Sequence, residues 1–299
     1  MKYIIASTAV TDEIYSADGI RIGKVAGGAG IYALCGIKLW CDDVLLVTGV
    51  GSDYQSIYGS WYEANGISRD GLIVRGNKTP HTIVRYFDNG EREEIPLYGS
   101  AHYKKTETTP EDLEPYFAAA KGIYIFKNSD AIYWDKMIQI KKHSDAIVMW
   151  EIANDATYYE NRDCVRNIAV NLEILSINLT EAGNLLGKGT IDNIVEELRS
   201  WGLKLIFLRR GSRGALMITP SQVVCVPAAR AVHVVDPTGG GNSSSGAVLY
   251  GFCEGYDVKT CGEMGSISAA MCISQYGVPK VIDIKKYRAM FRNEGKYVK

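Results

Sequence analysis

The sequence predicts an α/β fold: a doubly wound, mostly parallel sheet with helices on both faces, plus a small β lid. Three observations predict it. From residue 109 onward, short apolar runs alternate with helix-patterned stretches. Two hairpin-like patterns, one of them rich in charge, fall near residues 12–25 and 80–100. A β-branched run ending at Asp236 leads through three successive glycines into another helical pattern. Short buried strands alternating with helices imply a parallel sheet covered on both sides. With 299 residues and no repeat or linker, residues 1–299 are expected to form one domain, with the lid as part of it.

The elements follow in order. Residues 3–10 are an apolar, β-branched run, a predicted buried strand. Residues 13–25 alternate loosely around Asp18-Gly19, a hairpin signal. The glycine cluster at 27–30 precedes an apolar helix reaching to about Leu39. A second buried strand covers 44–50 and a helix covers 54–64. Residues 82–96 flank Asp88-Asn89-Gly90, a strong β-turn sequence, and are predicted to project from the body and pair with 13–25. Thr109-Pro110-Glu111-Asp112 reads as a capping box with proline at the first helical position. Strands are predicted at 122–126, 146–150, 173–177 and 205–208, with helices near 131–142, 157–169 and 190–201. A hairpin over 214–226, a strand over 232–235 and helices over 242–255 and 258–276 complete the chain.

Composition excludes several function classes. A formal net charge of -1 gives no overall attraction to nucleic acid or to an anionic membrane. No window reaches the ~20 apolar residues of a membrane helix, and the first ten residues are too short and too soon charged for a signal peptide. The seven cysteines are odd in number and form no CxxC pair, and the four histidines show no metal-ligand spacing. Reduced thiols and a cytoplasmic location are the expectation.

The most informative stretch is Asp236-Pro237-Thr238-Gly239-Gly240-Gly241-Asn242-Ser243. Glycines admit close approach of backbone N–H groups because no side chain blocks them. The following helix, expected to be capped by Asn242 or Ser243, adds its free N–H groups and the positive end of its dipole. Together they make a hole for a phosphate, or for the charge on a phosphoryl group in transfer. A turn that binds nothing would be satisfied by one glycine. A Walker A loop is excluded because no Gly-Lys-Ser/Thr follows.

Asp236-Pro237-Thr238-Gly239-Gly240-Gly241-Asn242 resembles the carboxy-terminal signature of the PfkB carbohydrate kinases, usually D-T-T-G-A-G-D. Gly27-Gly28-Ala29-Gly30 through Val47-Thr48-Gly49-Val50-Gly51-Ser52-Asp53 resembles their amino-terminal signature. Asn178-Leu179-Thr180-Glu181 matches the family's NxxE motif, and Gly211-Ser212-Arg213-Gly214 its GxxG turn. Four motifs in the expected order, spanning about 3 to 282, make the resemblance specific. It implies a ribokinase-like fold and transfer of phosphate from ATP, with Mg2+ and room for a monovalent cation, to a hydroxyl of a small sugar or nucleoside.

The resemblance also implies roles. Gly239, Gly240 and Gly241 form the anion hole, and residue 242 is the position of the catalytic base. Asp12, Gly27, Gly28, Tyr32 and Arg92 fall on the acceptor side. Thr238, Gly211, Gly214 and Ser274 fall on the nucleotide side, and Asn178, Glu181 and Asp236 on the metal side; Arg209, at the end of a predicted strand, is placed on the nucleotide side by position alone, since strand ends in open α/β sheets face the ligand. The chain departs from the family at Asn242 in place of Asp, at Tyr32 where Asn is frequent, and at Arg209-Arg210 where Thr-Leu is frequent. An Asn amide orients a hydroxyl but takes no proton, so a working kinase needs a base elsewhere, such as Asp12 or Glu151, or none. The alternative is a former kinase that binds nucleotide or sugar as a regulator or subunit. Gly28-Ala29-Gly30-Ile31-Tyr32-Ala33 also fits a dinucleotide fingerprint, but no strand precedes it directly and no strand-end acid follows. If the lid exposes an apolar face, two lids are expected to pair as a homodimer.

Overall fold

The structure, a computed structural model, describes residues 1–87, 92–187, 189–229 and 233–294. Two sheets organise it. The larger has nine strands: β1 (Tyr3–Ala6), β4 (Val44–Val50), β5 (Leu72–Val74), β8 (Gly122–Lys127), β9 (Ile147–Ile152), β10 (Ile174–Asn178), β11 (Leu205–Arg209), β12 (Ala215–Ile218) and β13 (Val223–Val226). Their order is β13-β12-β11-β10-β9-β8-β1-β4-β5. Neighbours are parallel from β11 to β5, while β12 and β13 add antiparallel at the far edge.

Successive residues of the central strands enter different cores. Ile4, Leu45, Ile123 and Val148 pack into one cluster, whereas Ile5, Leu46, Tyr124 and Met149 pack into the other. A two-residue period with apolar side chains at both phases is the signature of a sheet buried on both faces. One face is covered by α1 (Ala29–Lys38), α2 (Tyr54–Ala64), α9 (Gly240–Cys253) and α10 (Val258–Cys272). The other is covered by α4 (Pro110–Phe117), α5 (Ala131–Lys141), α6 (Arg162–Ala169), α7 (Leu179–Leu185) and α8 (Ile191–Ser200). Further helices are α3 (Ser100–Thr106) and α11 (Ile284–Glu294). The capping box at Thr109 and Asp112 forms as its spacing predicts, with proline at the start of α4.

The second sheet has four strands, β2 (Val10–Tyr15), β3 (Arg21–Gly27), β6 (His81–Tyr86) and β7 (Arg92–Pro96), in the order β3-β2-β6-β7. The two predicted hairpins do pair, through the parallel β2–β6 ladder. The expected turn at Asp88-Asn89-Gly90 lies outside the described residues.

Several expectations are corrected. The strand predicted over 3–10 is two strands in two sheets, broken at Ser7, Thr8 and Ala9. There the Thr8 carbonyl accepts from Gly30 N at the start of α1 (3.0 Å), and Thr11 N turns to Pro80 O (2.8 Å). The strand expected over 232–235 does not form at 233–235, and Val232 lies outside the described residues. Val235 N and Asp236 N both donate to Ile273 O beyond α10 (2.8 and 3.2 Å), so this stretch is tied to a helix end. α9 begins at Gly240, with Gly239 as its cap rather than Asn242 or Ser243. α6 begins only at Arg162, after two short 3-10 turns, and α10 stops at Cys272, short of residue 276. No sequence signal was read for β5, α3 or α11.

Candidate active site

The site is built where α1 and α9 meet. Both are rich in small residues, and their backbones touch: a Cβ on Gly36 would lie 2.0 Å from Ser243 O, and one on Gly246 would lie 2.5 Å from Ala33 O. This close crossing brings the amino ends of the two helices, and the glycine turns before them, to one place.

Gly239 takes φ +76°, a left-handed conformation costly for any residue with a Cβ. A Cβ there would also meet the Tyr32 ring at 2.0 Å. Gly240 and Gly241 form the first turn of α9, where the earliest amides have no carbonyl within the helix to accept them. Arg209, at the end of β11, lies across this turn, its Nη1 only 2.0 Å from where a Gly241 Cβ would stand. Its guanidinium pairs with Glu151 Oε1 at 2.9 Å and approaches Glu181 Oε2 at 3.7 Å. Arg209 Nε is buried without a partner. Arg210 turns away, to Arg213 O and Cys225 Sγ.

Asn242 stands beside this cluster. Its Nδ2 donates to Glu151 Oε1 (3.0 Å) and to Tyr124 OH (3.2 Å), and Tyr124 OH donates to Glu151 Oε2 (2.8 Å). Glu151 is 2 % exposed, and both its oxygens are occupied. Asn242 keeps Oδ1 to accept from a ligand.

On the other side of the cradle the smaller sheet reaches in. Asp236 Oδ1 accepts from Thr238 N (2.8 Å) and from Tyr86 OH, while its Oδ2 is buried without a partner. Tyr86 OH and Arg92 Nη1 also meet Thr238 Oγ1, at 2.8 and 2.9 Å. Asp12 on β2 lies over Gly27, whose Cβ would overlap its carboxylate. Burial pushes the Asp12 carboxyl up to about 7, with Glu94 adding to the rise, Arg92 opposing it and Asp236 adding again. Burial also raises Glu181, against the pull of Arg209. Gly28 (φ +94°) caps α1 against Thr8 O.

The structure thus places Asp12, Gly27, Gly28, Tyr32, Arg92, Arg209, Asp236, Thr238, Gly239, Gly240, Gly241 and Asn242 near one another at the amino ends of α1 and α9, with Glu181 reached through Arg209. Other expected residues have local explanations. Asn178 caps α7: its Oδ1 accepts from Glu181 N (2.9 Å), and Glu181 Oε2 accepts from Asn178 N (2.8 Å). This reciprocal box occupies one of the two lone pairs of the Asn178 oxygen. Gly214 lets the β12–β13 hairpin close against Val226 O, and Ser274 Oγ donates to Met271 O. Gly211 has φ +59° and open space around it. Among the described residues no group of three or more His, Cys, Asp or Glu is arranged to hold a metal ion.

Sequence reasoning missed Tyr86 and Tyr124. The register offers a signal for the first, since Tyr86 faces Arg92 across the β6–β7 hairpin. For the second the only signal was its place on β8, a strand next to that of Glu151.

The profile of the pfkB family carbohydrate kinases matches residues 4–284. The chain belongs to that family. Among curated relatives of this pfkB chain, a cytidine kinase of Thermococcus kodakarensis is 27 % identical over 274 residues, 89 % of this chain and 94 % of the relative. A nucleoside kinase of Methanothermobacter thermautotrophicus is 25 % identical and covers 86 % of this chain and 81 % of its own. Among solved structures, adenosine kinase from Sinorhizobium meliloti superposes with a TM-score of 0.81 over 96 % of this chain and 98 % of its own, at 18 % identity. The pfkB fold therefore extends over nearly the whole chain.

Proposed function

We propose that the protein transfers the γ-phosphoryl group of ATP to a hydroxyl of a small sugar or nucleoside. The observation that carries this is the cradle itself: three glycines at the start of α9, with Arg209 laid across them and a buried, unpartnered Nε. An orphaned cationic donor beside the amino end of a helix is the chemistry that receives a phosphoryl group. The named activities of the cytidine and nucleoside kinases support the reading.

Asp12 and the Gly27–Gly28 turn would hold the acceptor, and Asn242 Oδ1 would orient its reacting hydroxyl. Asn242 takes no proton. Phosphoryl transfer runs through a loose transition state, so positioning and charge stabilisation supply most of the rate and the hydroxyl keeps its proton until late. Glu151 is the poorer substitute base, because Asn242, Arg209 and Tyr124 already donate to both its oxygens. Arg209 would meet the charge developing on the transferred oxygens, while Tyr86 and Arg92 draw the smaller sheet down as a lid that excludes water. Mg2+ would neutralise phosphate charge here. Glu181 retains an oxygen free of the capping box, and Mg2+ usually keeps several waters and shares phosphate oxygens. A site of that kind suits this chain better than direct ligation by Asn178. Asp236 Oδ2 is an orphaned acceptor that fits a monovalent cation.

ADP formation from Mg-ATP over a panel of sugars, polyols and nucleosides tests the reading, with wild type beside Arg209→Ala. Wild type is expected to turn over one acceptor well above its ATPase background. Arg209→Ala should lower kcat by about 10²-fold or more, as loss of a preorganised donor does. Nucleotide binding with no acceptor-dependent ADP formation would show a binding protein instead, and equal rates for the two proteins would remove Arg209 from the mechanism.

A further inference from the structure

The amide of Asn242 is held from the sheet side by two buried side chains. Tyr124 and Glu151 lie diagonally across the β8–β9 ladder, Tyr124 opposite Met149 and Glu151 opposite Phe126. Side chains two residues apart on a strand share a face, and this one is the face that α9 covers. Every atom they turn toward Asn242 calls for a donor. Glu151 Oε1 accepts from Asn242 Nδ2 (3.0 Å) and from Arg209 Nη1 (2.9 Å). Tyr124 uses its one proton on Glu151 Oε2 (2.8 Å) and so meets Nδ2 with its oxygen (3.2 Å). An amide turned the other way would set Oδ1 against a carboxylate oxygen, acceptor on acceptor. The Glu151 carboxylate thus fixes which end of the amide points inward, and Oδ1 is the end left to accept from a ligand.

Charge makes the same selection. Arg209 lies between Glu151 and Glu181, so two carboxylates already stand by one guanidinium. A carboxylate at position 242 would be a third, within hydrogen-bond reach of Glu151. Two carboxylates that close hold one proton between them. A carboxyl group that keeps this proton donates inward and accepts outward, as the amide does, and is no base.

We propose that Glu151 is a positioning residue for phosphoryl transfer: it holds Asn242 with Oδ1 toward the reacting hydroxyl, and its charge makes an amide, not a carboxylate, the group that fits at 242. The inference rests on the kinase reading for the reaction, whereas the pairing of 151 with 242 does not. Asn242→Asp alone then supplies no base, but Asn242→Asp together with Glu151→Gln does. The double variant keeps the charge count of wild type. Tyr124 turns its proton from residue 151 to residue 242, the new amide nitrogen at 151 donates to the Tyr124 oxygen, and the new amide oxygen still accepts from Arg209. The carboxylate then takes the hydroxyl proton as the acceptor oxygen bonds to the γ-phosphorus and the bond to ADP breaks. In wild type that proton stays on the bridging oxygen until the phosphorylated product releases it to water.

Four full-length proteins test this: wild type, Glu151→Gln, Asn242→Asp and the double variant. Melting temperature needs no turnover and comes first. Each single change is expected to lower it and the double change to recover most of the loss, a coupling that independent sites do not show. ADP formation from Mg-ATP with the acceptor found in the panel comes second. Asn242→Asp is expected to have a kcat no higher than wild type. The double variant should exceed Asn242→Asp by about tenfold or more in kcat, as a gained general base does, with acceptor KM and the calorimetric Kd of Mg-ATP within about twofold. A contact that serves folding alone would move stability without this rise in kcat. An Asn242→Asp variant as stable as wild type and faster than it, a double variant that regains no stability, or one no faster than Asn242→Asp overturns the proposal. Turnover by wild type with any of these results ends this inference and spares the kinase. Absence of acceptor-dependent ADP from all four proteins removes the kinase reading, while the stability cycle still decides the pairing.

Discussion

Asp12 faces a conflict between burial and charge. The carboxyl is 8 % exposed, and burial followed by Glu94 raises it from 3.8 to about 7. The folded protein therefore holds this proton more tightly than the unfolded chain. The resulting stability is full below pH 3.8 and is lost as pH rises to about 7, a change of about 4 kcal/mol at 1.36 kcal/mol per pH unit. Asp12→Asn carries no such proton, so the stability of wild type relative to this variant should decline across that window and then level off. Urea unfolding at a series of pH values measures it, and a constant difference would contradict the assignment. Above pH 7 the ionised carboxylate is the better acceptor for substrate hydroxyls, so acceptor KM should fall as pH rises through 7 in wild type and stay flat in Asp12→Asn. At this scale the sequence was readable where a residue type carries chemistry: Asp12, Arg92, the three glycines and Asn242 stand out by type, and their roles are proposals. It was not readable where a side chain acts through a partner distant in sequence. That Asn242 rests on Glu151 and Tyr124, 91 and 118 positions away, depends on the strand order, which no local pattern contains.

Among elements, the contact between α1 and α9 decides whether the site exists. Gly36 sits where another backbone passes, with a would-be Cβ 2.0 Å from Ser243 O. Gly36→Ala leaves helix propensity improved, by about 1 kcal/mol, yet forces the two helices apart. Overpacking against backbone typically costs about 1–3 kcal/mol, so a net loss of melting temperature is expected. Acceptor-dependent ADP formation should fall further than stability does, because the same shift separates the Gly27–Gly28 turn from the cradle. A variant as stable and as active as wild type would show that this crossing can relax. The central strands β4, β8, β9 and β10 were legible to within one or two residues because they are buried on both faces and apolar over most of their length. β5, three residues long at the sheet edge, offers too little periodicity to read. The change of sheet after Ala6 escaped detection because Ser7 and Thr8, small residues that strands also carry, interrupt the apolar run only briefly. Only the hydrogen bonds of Thr8 and Thr11 mark it. Asn178 shows the limit of a motif: its NxxE spacing is also that of a capping box, and the structure uses it as one.

For the whole molecule, the smaller sheet is the part left unfinished. Its outer strands β3 and β7 end the order β3-β2-β6-β7, so each presents an edge of backbone groups without a neighbouring strand in this sheet. Ile20 and Ile22 at β3 are 61 % and 44 % exposed, and Phe87 and Leu97 flank the other hairpin at 48 % each. Natural edge strands are usually protected by charge, twist or cover. Here Arg21, Lys24, Arg92 and Glu93 supply some charge, but Arg21 and Lys24 are drawn to Glu13 and Arg92 to Glu94, leaving the isoleucines uncovered. A second copy offers the same surface, and a two-fold arrangement buries both at once. The protein is therefore expected to sediment in the micromolar range as twice the 32.9 kDa chain. Ile22→Lys, placing a charge where the partner would pack, should yield the monomer without unfolding, since Ile22 makes no part of either core. Activity distinguishes a lid that closes alone from one that closes as a pair. If the monomeric variant keeps its kcat while acceptor KM rises, pairing serves to hold the lid over the acceptor. A wild-type chain that sediments at its own mass over the whole range would mean that the lid functions with its apolar strand open to water.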